Sequence, residues 1–96
     1  MNIQEFNNSI EEGLIPAGLS LIAQSLWYDG AGDWKKAHDL IDHLQDRQSA
    51  HIHAYLHRKE GDLWNADYWY AKAGKKCPGF PLNEEWQELV KTYVIS

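Results

Sequence analysis

A segment of this chain repeats itself at an offset of 29 residues. Ser25-Leu-Trp-Tyr-Asp-Gly-Ala-Gly-Asp-Trp-Lys-Lys-Ala37 falls on Ala54-Tyr-Leu-His-Arg-Lys-Glu-Gly-Asp-Leu-Trp-Asn-Ala66. Gly32 and Gly61, Asp33 and Asp62, and Ala37 and Ala66 coincide, and Ser25 and Ala54 are both small. The identities fall where a helical hairpin needs them. Glycine ends one helix in a left-handed cap, and aspartate starts the next by accepting from its free N–H groups. Small residues on the facing sides let the two axes approach closely. The pattern predicts two helical hairpins, one over about 17–46 and one over about 48–78.

The remaining sequence reads as helix as well. No stretch alternates with period two, and apolar residues recur at three and four. Ile3, Phe6 and Ile10 line a first short helix capped by Asn2 and stopped by Gly13. Pro16 suits the first turn of a second helix that runs to Gly30. Asp33 caps a third helix, a fourth covers about 48–60, and Asp62 caps a fifth that ends near Gly74. Pro78 and Pro81 break the chain. Asn83 is placed to cap a last helix over 83–95, with Trp86, Leu89, Val90 and Tyr93 on one stripe. The expected fold is all-α, a single domain over 1–96 of two hairpins flanked by N- and C-terminal capping helices, about six helices in all. Trp64, Tyr68, Trp69 and Tyr70 go round their helix, which predicts burial on several sides.

The second copy carries a recognisable pattern. Ala54, Gly61-Asp62, Ala66, Tyr70, Ala73 and Pro78 resemble, at matching spacing, the small residue, turn, alanine, aromatic, alanine and closing proline of the tetratricopeptide repeat. Ala66-Asp-Tyr-Trp69-Tyr70-Ala-Lys72-Ala73-Gly74 is similar to a segment of Sel1-like repeats. The 29-residue offset is shorter than the usual tetratricopeptide repeat of about 34. The resemblance covers roughly 17–78 and implies a helical-repeat protein-interaction module. The run His53-Ala-x-Leu-His57-Arg58-x-Glu60-Gly61-Asp62 also resembles a segment of small uncharacterised proteins, a likeness that implies no activity. Such repeats bury their apolar faces only by stacking, so the terminal helices are expected to act as caps, with self-association through one end as the alternative.

Composition sets the outer bounds. One cysteine, Cys77, allows no internal disulfide, no signal peptide or membrane span is indicated, and a cytoplasmic location is expected. The net charge of −5 argues against general nucleic-acid binding. That charge is uneven. Residues 1–46 hold two Lys/Arg against eight Asp/Glu, whereas residues 47–76 hold six against three. A basic middle either complements the acidic half or meets an acidic partner.

Candidate chemistry gathers on the fourth helix. His53 and His57, four apart, share one helical face. They read as a metal-binding pair, as the acid, base or anion donor of a small pocket with Arg58, Glu60 and Asp62 nearby, or as buried hydrogen-bonding residues. No third metal ligand follows from spacing, and the His-Glu-x-x-His pattern is absent because position 54 is alanine. A catalytic role would fall to His53, His57 and Glu60. The groove-lining positions of the resembled repeats correspond to His51, Tyr55 and Arg58, with Lys59 adjacent, so that face reads as a clamp for an acidic peptide or small anion. One ring of the aromatic run, Trp69, is a further candidate for binding. Cys77 and the serines lie in no nucleophile motif, and no phosphate loop occurs. The leading expectation is a non-enzymatic interaction module with no cofactor, holding a protein or peptide segment through the second hairpin. The alternative is a small enzyme or ligand- or metal-binding protein centred on His53 and His57.

Overall fold

The computed structural model describes residues 1–95, which form six helices and no strand: α1 (Ile3–Glu12), α2 (Leu21–Gly30), α3 (Trp34–Ile41), α4 (Arg47–Glu60), α5 (Leu63–Ala73) and α6 (Leu82–Tyr93). The chain is all-α, as its periodicity predicts. None of these helices is long and apolar enough to cross a membrane.

Two hairpins, α2–α3 and α4–α5, are the most extensive pairings. Their turns are built alike. Gly32 and Gly61 take φ of +90° and +88°, a region that only glycine enters cheaply. The amides of Asp33 and Asp62 then donate to the carbonyls of Tyr28 and His57, at 2.8 and 2.9 Å. Each aspartate side chain accepts from the third residue of its helix, Lys36 or Asn65. The small residues sit at the crossings: Ser25 donates its hydroxyl to the Ala37 carbonyl, and Ala54 and Ala66 are fully buried against one another's helices.

α4 is the hub and packs on α2, α3, α5 and α6. Every residue from Ser49 to His57 except His51 is buried. The main core joins Phe6, Leu26, Trp27, Ile41, Ile52, Leu56, Trp86, Leu89 and Val90. Indole N–H groups tie its parts together. Trp86 donates to the Leu26 carbonyl (3.0 Å), Trp34 to the Leu56 carbonyl (2.8 Å) and Trp27 to the Ser9 hydroxyl (3.0 Å). α1 packs on α2, and α6 lies across α2 and α4, so one helix spans both hairpins.

Three local departures from the sequence reading have physical causes. Residues 14–20 do not extend α2 back to Pro16, because Gly18 turns to φ +80° and Ser20 supplies the cap by accepting from the Ala23 amide. α6 starts at Leu82 rather than after Asn83. Pro81, its φ fixed near the helical value, occupies the cap position, and its carbonyl accepts from the Glu85 amide. The aromatic run of α5 is not a buried ring. Only Tyr70 is buried, Trp69 is half-buried, and Trp64 and Tyr68 are exposed, since α5 packs chiefly on α4.

Candidate functional site

Four of the side chains expected to clamp a partner are engaged within the chain. Arg58 donates to the buried carboxylate of Glu85 on α6 at 2.9 Å and to the Phe80 carbonyl at 2.8 Å. Tyr70 donates to the other oxygen of Glu85. Tyr55 donates its hydroxyl to Asp29 at 2.6 Å, and Lys59 donates to the second oxygen of that buried carboxylate at 2.9 Å. His51 Nδ1 meets the Tyr93 hydroxyl at 2.9 Å. The face thus holds two buried carboxylates in cis, Glu85 of α6 through Arg58 and Asp29 of α2 through Tyr55 and Lys59. Burial first, then the adjoining carboxylates, push the Tyr55 and Tyr70 hydroxyls well above the usual phenol range, so both act as fixed donors.

A cleft of about 540 Å³ remains beside this region, between α1, the ends of α2 and α4 and the start of α6. Ile10, Trp86 and Leu82 give it apolar walls, and Asp29, Tyr55 and Lys59 give it a polar side. Those three polar groups already satisfy one another.

The histidines lie on a different side of α4, turned toward α3 and α5. His53 and His57 stack with ring centroids 4.8 Å apart. α3 adds a third imidazole that spacing does not reveal. His38 stands edge-on to both, at centroid distances of 4.8 and 5.2 Å, and its Nε2 lies 3.1 Å from His53 Nε2. Two indoles wall the group. Trp34 stacks on His38 at 5.0 Å, and Trp69 stacks on His53 at 3.9 Å. Glu60 accepts from His57 Nδ1 at 2.6 Å, which fixes the proton on Nδ1 and leaves the lone pair on Nε2. Asp39 and Asp42 carboxylate oxygens lie 3.9 and 4.0 Å from His38 Nδ1. His53 Nδ1 is buried without a hydrogen-bond partner. Burial first, with His38 and His57 next, lowers the His53 pKa to about 4, so its ring is neutral at ordinary pH.

Trp69 therefore serves the histidine group through one face. Lys72 Nζ lies 4.9 Å from the same indole. On the outward side of α5, Leu63, Trp64 and Tyr68 are 60%, 80% and 49% exposed. The hairpin thus presents a closed inner face, a packed imidazole cluster at its junction with α3 and an open aromatic ridge. Comparison of the chain with protein-family models, with curated proteins and with solved structures finds no match.

Proposed function

We propose that this chain is a small, non-enzymatic interaction module of the helical-repeat kind that holds a segment of a partner protein through its second hairpin. The observation that carries this reading is the outer ridge of α5, where Leu63, Trp64 and Tyr68 stand in solvent with no element packed over them. Large exposed aromatics set together are a usual mark of a contact surface, and tryptophan and tyrosine are the side chains that most often dominate binding energy. The inner face of the hairpin is already occupied by α6, so the ridge is its accessible apolar side. Lys72 flanks the ridge, its ammonium over the rings of Tyr68 and Trp69, which favours a partner segment carrying both apolar and acidic side chains.

The test is photo-crosslinking in the native cells from a benzophenone amino acid at position 71, on the exposed flank of the ridge. One discrete protein adduct is expected, and Trp64→Ala with Tyr68→Ala should remove it. Because both side chains are largely exposed, each alanine should change stability by no more than about 0.5 kcal/mol. Loss of the adduct would then reflect loss of contact rather than of fold. Absence of any discrete adduct, or one that survives the double replacement, overturns the reading.

A further inference from the structure

We infer that His38, His53 and His57 form a three-imidazole binding site for a divalent transition-metal ion, zinc being the best match to its donors. The three residues each offer one ring nitrogen, and these nitrogens lie within 4.8 Å of one another. Nitrogens bound about 2.0–2.1 Å from one tetrahedral ion stand about 3.3–3.4 Å apart. The 3.1 Å separation of His38 Nε2 and His53 Nε2 is close to that edge, and the His57 nitrogen, within 4.8 Å of both, must move inward to complete the set.

Hydrogen bonding among the rings serves them poorly. One N–H···N contact joins His38 to His53, and whichever ring donates, His53 Nδ1 stays buried without a partner. If that nitrogen carries the proton, the group costs about 1–3 kcal/mol. A cation at the converging nitrogens gives each ring a strong partner there; for His53 bound through Nε2 the proton then sits on the unpartnered Nδ1, a cost that the metal–nitrogen bond must outweigh.

The surroundings match the demands of such an ion. Glu60 holds His57 in the tautomer that presents Nε2, the arrangement in which an outer carboxylate orients a metal-ligating imidazole. Asp39 and Asp42, at 3.9 and 4.0 Å from His38 Nδ1, stand beyond hydrogen-bond distance and supply negative charge against a dication. Trp34 and Trp69 fix the outer planes of the cluster. His38 retains 21% of its side-chain exposure, which gives an entry path. Nitrogen donors without thiolates suit zinc, copper or nickel rather than magnesium or calcium. Three protein ligands leave a fourth position for water or a group brought by a partner. The site takes His38 from one hairpin and His53 and His57 from the other, so an ion there would also pin the two hairpins together.

The experiment uses the whole chain, stripped with a chelator, dialysed and titrated with Zn²⁺ by calorimetry, with Co²⁺ as a visible-absorption probe. Expected are one equivalent bound, tetrahedral Co²⁺ bands that Zn²⁺ abolishes, and a rise in Tm that grows with Zn²⁺ concentration. Histidine ring resonances of the wild-type protein should shift on zinc addition for His38, His53 and His57, and not for His43 or His51. His38→Ala removes the most exposed ligand and should abolish binding. Glu60→Gln, which leaves all three ligands in place, should weaken it by about 10–100-fold. Should His38→Ala fail to fold, the wild-type resonances and Glu60→Gln decide. Sub-stoichiometric binding, binding that shifts His43 or His51 instead, or affinity unchanged in Glu60→Gln or in folded His38→Ala overturns the assignment.

Discussion

Arg58 is held between the Glu85 carboxylate and the Phe80 carbonyl, and Glu85 is almost fully buried. Removing one partner of such a pair leaves a buried charge uncompensated, which outweighs the modest net value of the pair itself. Arg58→Ala should therefore destabilise the fold by about 3 kcal/mol, read as a lower urea midpoint. Arg58→Met with Glu85→Gln should recover most of the loss, because the amide still accepts from Tyr70. Asp46 gives the pH counterpart. The hydroxyl of Ser49 first, and then its amide, lowers the Asp46 pKa below the usual 3.8, so the native state favours the carboxylate. Its contribution is fully present above 3.8 and is lost as pH falls through the lowered native value. Asp46→Asn should flatten the acid limb of the stability curve there, which pH-dependent urea melts would read. The histidine group marks where sequence stops informing at this scale. His53 and His57 are visible as a pair because one helix sets their spacing. His38 joins them only through the angle at which α3 crosses α4, and no periodicity encodes that angle.

Within elements, the legible parts are those decided locally. Gly-Asp turns, the Asn2 cap and the stop at Gly13 depend on a few adjacent residues, and all stand where the sequence puts them. The burial of α5 is decided elsewhere. Its aromatics surround the helix, and only the position of α4 determines that Tyr70 is covered while Trp64 is not. Gly30 is a similar case, reading in sequence as a simple helix end. In space, α1 and α6 both close on it, and a Cβ there would stand 2.7 Å from Trp86 and 2.8 Å from Ile10. Alanine should improve helix propensity by about 1 kcal/mol, yet crowding of this kind usually costs about 1–3 kcal/mol. Crowding should win, so Gly30→Ala is expected to lower Tm. A raised Tm would mean that Trp86 and Ile10 yield without strain.

At the scale of the whole molecule, the hairpins do not close the core by themselves. α6 contributes Trp86, Leu89 and Val90 to it and spans α2 and α4. A chain ending at Pro81 would leave the partners of these side chains, Leu26 and Leu56 among them, facing water. Such a chain is expected to lose its cooperative thermal transition and to elute as an expanded or aggregated species in size-exclusion chromatography. Capping by the terminal helices follows from amphipathic patterning. That α6 caps by lying across both hairpins follows from Arg58, Tyr70 and His51 of the second hairpin finding partners on it or just ahead of it, and from Trp86 donating to Leu26 of the first.

The bond from the Trp86 indole to the Leu26 carbonyl joins residues 60 positions apart in the chain. Each hairpin, by contrast, closes over a turn of only two or three residues. Local contacts form early because little chain entropy is lost in bringing them together, and distant ones follow. The two hairpins are thus expected to form first and the last helix to dock after the main barrier has been crossed. Trp86→Phe, which keeps the ring and removes the N–H, should then hasten unfolding far more than it slows refolding in stopped-flow measurements.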